Sequence, residues 1–338
     1  MHASDEQSKP RGNVCVVVIG RNEGTRLERS LRAVLSQTQF CVYVDSGSTD
    51  GSPDLAAQLG AAVVNLSSDL PFTAARGRNE GFAASLLEHP ETCYVQFVDG
   101  DTELIPAWLD AGARALDEDA GLAAVCGHLF ELEPNRSVYS RLCAAEWDRP
   151  PGLVRACGGN IMVRVSAFAS EGGFRSDMPA GEEPELCARW RSNGWQIRRL
   201  DADMGIHDSG MLHFAQWWVR TKRSGYAWAE ECALHGSNSD RLGLKPVLSA
   251  LFWGLVLPIA VIALTVMEPS VGFGIAILYP LQIGRIVYRQ RSHSARRRSQ
   301  WLVAFFLILG KLPEAFGVLT YVAGRLRGMH RRPTPASH

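Results

Sequence analysis

The stretch Tyr94-Val95-Gln96-Phe97-Val98-Asp99-Gly100-Asp101 decides how this sequence is read. A mainly apolar run leads directly into two carboxylates that are separated by one glycine. A strand that is apolar on both faces is typical of the middle of a covered parallel sheet. Ligands bind to open α/β sheets at the carboxyl ends of such strands. Because glycine permits a tight turn, both carboxylates can reach one hard divalent cation, whose remaining positions suit phosphate oxygens.

Strands and helices alternate around this stretch. Other apolar runs predict strands at Val14–Gly20, Phe40–Val44, Ala62–Leu66, Leu122–Phe130 and Gln196–Leu200. Segments with helical spacing of apolar residues lie between the early strands. This alternation predicts an α/β fold with a doubly wound, mostly parallel sheet.

The composition excludes some classes of protein. The 338 residues include 35 Lys and Arg and 35 Asp and Glu, and this balance argues against a nucleic-acid partner. The eight cysteines show neither a CxxC motif nor a metal-ligand spacing, so we interpret them as core residues of a protein in a reducing compartment. No secretory signal is recognised at the start, and residues 1–12 are expected to form a disordered tail.

The C-terminal third has a membrane-like composition. Val247–Met267 contains no charged residue and is long enough to cross a bilayer, and a second apolar run follows at Val271–Gly284. The basic loop Arg289–Arg298 comes next and is expected to be cytoplasmic. These features predict a helical hairpin with spans at about 247–267 and 270–287. The alternative is a pair of buried helices in a soluble domain.

A third apolar run, Trp301–Gly310, has ten residues before the charged Lys311 and Glu314. This is short for a span, and a full crossing would place the arginines of the tail outside. We therefore predict an interfacial or re-entrant segment over 301–325 with a cytoplasmic C-terminus, the alternative being a third span.

Seven short motifs together resemble the family 2 glycosyltransferases, which have the GT-A fold. They are VVVIGRNEG, VDSGSTDGS, FTAARGRN, FVDGD, GGNIMV, GEEPELCARWRSNGW and IHD, and they cover about residues 13–210 in the order typical of the family. The GEEPEL form, followed by IHDSGM and QWWVRTKRSGYA, resembles the membrane-attached enzymes of bacterial surface polysaccharide and exopolysaccharide assembly.

The resemblance implies a division of the chain into four parts. The predicted divisions are a tail (1–12), a GT-A glycosyltransferase domain (13–240), a membrane-attachment region (241–330) and a second tail (331–338). The expected fold class is thus a GT-A nucleotide-diphospho-sugar transferase fold followed by a C-terminal membrane helical hairpin.

The resemblance also implies residues that bind the nucleotide-sugar, namely Glu23, Asp45, Arg76 and Asp99. A carboxylate at Asp45 can accept a hydrogen bond from a nucleobase N–H, and the charge of Arg76 suits the base or the phosphates. Simpler interpretations are a turn residue for Asp45, a helix-start residue for Glu23 and a solvated helix residue for Arg76.

The metal site implied by the resemblance contains Asp99, Asp101 and His207. Asp101 is expected to bind a divalent metal ion directly, either Mn²⁺ or Mg²⁺, while Asp99 binds the ribose or reaches the metal through water. The ion would offset the charge of the departing nucleoside diphosphate. Imidazole suits Mn²⁺ better than Mg²⁺. The alternative for His207 is a hydrogen-bonded core histidine.

A general base must remove the proton of the acceptor hydroxyl. The family commonly supplies an aspartate from a Glu-Asp pair that opens a helix, and here the pair reads Glu182-Glu183. By position Glu183 is the expected base and Glu182 is the alternative. Both glutamates would otherwise only add charge to the helix N-terminus.

These features predict a metal-dependent, inverting hexosyltransferase attached to the inner membrane, with its catalytic domain facing the cytoplasm. It would move a sugar from a UDP- or GDP-sugar to a hydroxyl of a lipid-linked saccharide, and polysaccharide assembly proteins are further expected partners. The alternatives are a processive polysaccharide synthase and a catalytically inactive GT-A scaffold subunit.

Overall fold

A computed structural model describes residues 14–236, 241–289 and 297–328. The predicted tails at 1–12 and 331–338 lie outside these residues, as does most of the basic loop. The chain forms two compact units. We call the part up to Glu133 together with Trp147–Ser209 the sheet unit, and Pro134–Glu146 together with the chain from Gly210 onward the helical unit.

The described part of the sheet unit contains one sheet of nine strands. The strands are β1 (Val14–Gly20), β2 (Cys41–Asp45), β3 (Ala62–Asn65), β4 (Tyr94–Asp99), β5 (Thr102–Leu104), β6 (Leu122–Glu131), β7 (Gly152–Leu153), β8 (Ile161–Arg164) and β9 (Gln196–His207). They are ordered β3-β2-β1-β4-β8-β6-β9-β5, and β7 pairs with β9.

The sheet is mixed. Strands β3, β2, β1 and β4 are mutually parallel, whereas β8 runs antiparallel to both of its neighbours, β4 and β6. Beyond it, β6 and β9 are parallel and β5 is antiparallel to β9. The predicted α/β class is confirmed, and the antiparallel strands occupy the half of the sheet that follows β4.

Seven helices precede the C-terminal region within the described residues. They are α1 (Thr25–Leu35), α2 (Ser52–Leu59), α3 (Ala74–Glu88), α4 (Trp108–Glu118), α5 (Val138–Trp147), α6 (Val165–Ser170) and α7 (Glu182–Ser192). All except α5 belong to the sheet unit, and α5 lies almost entirely in the helical unit.

The sheet is covered by apolar side chains on both faces. Alternate residues of β1 enter two different core clusters, since side chains along a strand point to opposite faces. Val16 packs in one cluster with Leu27 of α1, and Val17 packs in the other with Phe97 of β4. This two-sided burial explains why β1 is continuously apolar and why β4 is mainly apolar.

Gly100 lies where β1 and β4 end side by side. Ile19 and Asp99 are partners in the parallel register, and the Gly100 N–H donates to the Ile19 carbonyl over 2.8 Å. A Cβ at position 100 would lie 3.1 Å from that oxygen and 3.1 Å from Glu23 Cγ. The glycine of the Asp-Gly-Asp motif therefore allows the chain to pass close to the end of β1.

The helical unit contains the C-terminal helices. They are α8 (Phe214–His235), α9 (Leu244–Leu251), which continues through a π-helical stretch (Phe252–Val256) into α10 (Leu257–Met267), then α11 (Pro269–Ala276), α12 (Leu278–Arg289), α13 (Arg297–Leu309) and α14 (Lys311–Leu326).

Three helical stretches among the described residues are long and apolar enough to cross a membrane. They are Leu244–Met267, Pro269–Arg289 and Gln300–Leu326. The first two correspond to the predicted hairpin. The third is 27 residues long, and about half of its most apolar part is buried inside the protein.

Helices α8 and α14 pack closely against each other. A side chain at Gly225 of α8 would collide with the Glu314 carbonyl, and one at Gly317 of α14 would collide with the Lys222 carbonyl. Small residues at such a contact let two helix backbones approach. Lys311 and Glu314 form an ion pair of 2.7 Å, so the two charges that interrupt the third apolar run are partners.

Candidate functional site

Asp101 and His207 are brought together by the pairing of β5 with β9. Thr102, which follows Asp101, is the register partner of His207 at the end of β9. As a result, Asp101 Oδ2 and His207 Nε2 are 3.4 Å apart, although the two residues are far apart in the sequence. Two of the three predicted metal ligands therefore form a pair.

The other ring nitrogen of His207 faces a residue that the sequence analysis did not select. His207 Nδ1 lies 3.2 Å from Oε2 of Glu131, the last residue of β6. The Glu131 side chain is 3% exposed. Its Oε1 accepts hydrogen bonds from the Ser209 N–H and hydroxyl, over 3.1 and 2.5 Å. His207 is thus held between two carboxylates.

Contacts between opposite charges, rather than burial, decide the direction in which the pKa values of His207 and Asp101 shift. Burial by itself would lower the pKa of His207, but the hydrogen bonds to Asp101 and Glu131 raise it to about 10. Burial would raise the pKa of Asp101, but the hydrogen bond and charge of His207, together with Arg26, hold it below the usual value. The chain by itself therefore holds Asp101 and His207 as an oppositely charged pair.

The side chains around Asp101 fit a divalent ion only in part. No group of three His, Cys, Asp or Glu side chains among residues 14–236, 241–289 and 297–328 is arranged to hold a metal. Ligand atoms about 2.1 Å from one cation lie roughly 3 Å from each other, which is close to the spacing of Asp101 Oδ2 and His207 Nε2. The spacing of these two atoms is therefore compatible with the predicted role of both residues as ligands of one cation.

Asp99 is oriented away from a role as a direct ligand. Its Oδ1 pairs with Arg78 Nη2 over 2.7 Å, and its Oδ2 accepts from Asn160 Nδ2 over 3.3 Å. Asn160 Oδ1 also accepts from the Asp99 N–H over 2.9 Å. Because both oxygens have protein donors, the structure fits the ribose-binding alternative for Asp99 better than direct metal ligation.

Arg78 connects Asp99 to the start of α7. Its Nη1 pairs with Glu182 Oε1 over 2.7 Å, while Nη2 holds Asp99. The guanidinium is almost fully buried and lies over the ring of Phe174. A buried charge is costly unless it is paired and hydrogen-bonded, and here two carboxylates share one guanidinium. A side chain at Gly159 would collide with Arg78 Nη2, so the glycine makes room for it.

The two candidate bases have different surroundings. Glu182 shares Arg78 with Asp99, and its side chain is 12% exposed. Glu183 Oε1 instead accepts from the Cys157 N–H over 2.7 Å and from the Cys187 thiol over 3.0 Å. Of the two glutamates, only Glu182, which is the alternative base of the sequence analysis, is linked to Asp99 through Arg78.

Asp45 lies at the end of β2 and closes a turn. Its Oδ1 accepts from the Tyr43 hydroxyl over 2.9 Å, and its Oδ2 accepts from the N–H groups of Gly47 and Ser48 over 2.8 and 2.7 Å. The turn-residue interpretation accounts for the two bonds from the backbone N–H groups.

Arg76 and Glu23 also have protein partners. Arg76 is buried, and its Nη1 donates to the carbonyls of Ser67 and Leu70 over 2.9 Å each, so it supports a loop before α3. Glu23 pairs with Arg26 over 2.7 Å. Burial raises the pKa of Glu23, which is then adjusted downward by Arg26 and upward by the nearby aspartates. Glu23 lies beside the Asp-Gly-Asp turn, whereas the described contacts of Arg76 lie elsewhere.

Three residues that contact Asp99, Glu182 or His207 were not selected from the sequence: Arg78, Asn160 and Glu131. The FTAARGRN motif contains Arg78 and the GGNIMV motif contains Asn160, so both motifs carried a signal that was not assigned to a side chain. Glu131 had no such signal, because it ends an apolar strand in the manner of an ordinary polar boundary residue.

Comparisons with known proteins agree with this architecture. Residues 15–170 match the profile of glycosyl transferase family 2. Glycosyltransferase AglE of Haloferax volcanii is 23% identical over 258 residues, which are 72% of this chain and 80% of that protein. The structure of the mannosyltransferase PcManGT from Pyrobaculum calidifontis, in complex with GDP-Man and Mn²⁺, superposes with a TM-score of 0.54 at 15% identity, over 94% of this chain and 88% of that one. At 15% sequence identity, the superposition shows a similar fold and nothing further.

Proposed function

We propose that this chain, which belongs to glycosyl transferase family 2 through residues 15–170, is a sugar transferase that acts with inversion. It would move a sugar from a UDP- or GDP-sugar to a hydroxyl of a lipid-linked saccharide. The observation that carries the proposal is the pair formed by Asp101 and His207 at the end of β4. A carboxylate and an imidazole 3.4 Å apart, at the ligand-binding edge of an α/β sheet, suit a cation that is shared with a diphosphate.

Asp101 and His207 would hold the divalent ion, Mn²⁺ or Mg²⁺. When bound, the ion supplies a positive charge that stabilises the departing nucleoside diphosphate. Asp99, fixed by Arg78 and Asn160, retains lone pairs that can accept hydrogen bonds from the ribose hydroxyls of the donor. Glu23, beside the same turn, is a second acceptor for the ribose. In this scheme Asp45 holds the turn after β2 and Arg76 holds the loop before α3, each through contacts with the backbone.

Glu182 is the proposed general base. Arg78 engages its Oε1, and Oε2 forms no hydrogen bond with the described residues, so Oε2 can accept the proton of the acceptor hydroxyl. The contacts of Glu183 with Cys157 and Cys187 favour a structural role at the start of α7. The Arg78 guanidinium then positions both Glu182 and Asp99.

Membrane attachment supports a lipid-linked acceptor. A saccharide on a polyprenyl carrier stays at the bilayer, so an enzyme anchored there meets it without releasing it into water. The C-terminal helices that are long enough to span would provide such an anchor. We propose that the protein resides in the inner membrane with the sheet unit facing the cytoplasm, where it can act with polysaccharide assembly proteins.

The function is tested by a donor screen. The purified full-length protein in detergent is incubated with Mn²⁺ and individual UDP- and GDP-sugars, and released nucleotide is measured without an acceptor. We expect slow hydrolysis of one donor class, because water can replace the missing hydroxyl. Nucleotide binding with no release from any donor, even with a lipid-linked acceptor added, would instead support the scaffold alternative.

The membrane topology gives a separate prediction. The basic loop near Ser294 and the tail near Ser337, both outside the described residues, are expected in the cytoplasm because arginine-rich segments are retained there. A cysteine introduced at position 337, in a background without other reactive thiols, should resist a membrane-impermeant maleimide in intact cells and react after lysis. Labelling in intact cells would mean that Gln300–Leu326 crosses the membrane.

The ion pair within α14 sharpens this choice of topology. An isolated charge at the centre of a bilayer costs roughly 2.5–3.5 kcal/mol on insertion scales. Lys311 and Glu314 are partners, so a third span would cost less than two isolated charges. The arginines that follow α14 therefore provide the main reason for a cytoplasmic tail.

A further inference from the structure

His207 is held by Glu131 on the side opposite to Asp101. We propose that Glu131 is a positioning residue that fixes the tautomer and the ring orientation of His207, so that the lone pair of Nε2 faces Asp101 and the metal. This inference rests on the proposed function, since it concerns the residues that would hold the ion. It adds a buried carboxylate that does not contact the ion or the substrate.

The backbone sets the distance between Glu131 and His207. The two residues are register partners in the parallel pairing of β6 with β9. Glu131 Oε2 lies 3.2 Å from His207 Nδ1, and His207 Nε2 lies 3.4 Å from Asp101 Oδ2. One nitrogen of the ring thus faces each carboxylate. Because both strands end at this point, the side chains extend from a rigid edge of the sheet.

Glu131 is itself fixed in place. Its Oε1 accepts from the Ser209 N–H and hydroxyl, and its side chain is 3% exposed. A buried carboxylate is costly unless its oxygens are hydrogen-bonded, and here each oxygen has a partner. The Trp147 and His207 rings form a T-shaped contact with their centroids 5.7 Å apart. The ring of His207 therefore has little freedom to turn.

This arrangement determines which nitrogen can bind a metal. A neutral imidazole carries one proton, and a nitrogen must be unprotonated to act as a ligand. In the chain by itself both ring nitrogens face carboxylates, so a cation has to displace the proton on Nε2. The remaining Nδ1–H then donates to Glu131, and the lone pair of Nε2 faces the cation beside Asp101. Without Glu131, the single proton of a neutral imidazole is no longer directed to Nδ1. It can remain on Nε2 and donate to Asp101, which would block the ligand atom. Loss of such an outer carboxylate commonly weakens metal binding by about 10–100-fold.

The test measures Mn²⁺ affinity directly. Full-length protein in detergent is titrated with Mn²⁺ alone, and the free ion is followed by its electron paramagnetic resonance signal. We expect Glu131→Gln to raise the Kd for Mn²⁺ by roughly 10–100-fold, because an amide cannot hold both Nδ1–H and the Ser209 donors as a carboxylate does. Glu133→Gln, an exposed change two residues away, is the matched control and should stay within about twofold.

Kinetics separate positioning from a general structural effect. Saturating Mn²⁺ should restore most of kcat in the Glu131→Gln variant and leave the donor KM near that of the wild type, because the ligands themselves are intact. Thermal unfolding checks that the variant is folded. A purely structural role would lower the unfolding temperature and leave the Mn²⁺ affinity of the folded protein unchanged, and that result would overturn the proposal.

Two further variants complete the test. If Glu131→Gln fails to fold, Ser209→Ala decides, since it removes only one donor to Glu131 Oε1. A threefold or greater rise in the Kd for Mn²⁺ supports the proposal, and an unchanged Kd rejects it. His207→Ala separates the two levels of inference. If it leaves Mn²⁺ binding intact, the metal site and the role of Glu131 both fail; if it abolishes binding while Glu131→Gln does not weaken it, only the positioning role fails.

Discussion

Asp101→Asn is expected to abolish sugar transfer and to leave the fold intact. The change keeps the shape of the side chain but removes the negative charge that pairs with His207 and would bind the ion. A bound metal commonly supplies several kcal/mol of transition-state stabilisation, and about 1.4 kcal/mol corresponds to a factor of ten in rate. We therefore expect a loss of roughly 10³-fold or more, measured as nucleotide released with donor and acceptor at saturation.

Metal removal should have the same effect on the wild type. EDTA should silence transfer, and an excess of Mn²⁺ or Mg²⁺ should restore it. Asp177→Asn is a suitable control, because Asp177 is exposed and pairs with Arg175 on the surface. Undiminished transfer in EDTA, or in the Asp101→Asn variant, would remove the basis for a metal-dependent reaction.

The central strands could be predicted from the sequence because burial on both faces leaves a continuous apolar run. The predicted bounds of β1, Val14–Gly20, are those of the structure. β9 was predicted to end at Leu200 but continues to His207. Its second half contains Asp201 and Asp203, and its pairing with β6 includes register shifts, so a simple alternation is absent there. That extension is what carries His207 to Asp101.

The site was predictable where a motif ends at a strand, and less so where partners are distant in the sequence. Asp101 follows directly from its strand. Arg78, by contrast, resembles a solvated helix arginine until its partners Asp99 and Glu182 are known, and these come from β4 and α7. Adjacent residues on a helix differ by about 100° in direction. No sequence pattern decides which of two neighbouring glutamates faces such an arginine.

The second large effect is expected at Glu182, the proposed general base. Glu182→Gln is expected to lower kcat by roughly 10²–10⁴-fold with little change in the donor KM. The amide oxygen can still accept from Arg78, so the neighbouring Asp99 stays in position, but the side chain can no longer accept a proton. The measurement is steady-state transfer to the acceptor, combined with nucleotide binding to show that the donor site is intact.

Glu183→Gln is the matched control, since it makes the same chemical change one residue away. Its buried carboxylate accepts from Cys157 and Cys187, so we expect a loss of stability of about 1–3 kcal/mol in the free energy of unfolding and a kcat close to that of the wild type. The reverse pattern, with a large loss of kcat only in Glu183→Gln, would assign the base to Glu183. If both variants retained full kcat, the base would lie outside the start of α7, and the link through Arg78 would serve only to hold Asp99.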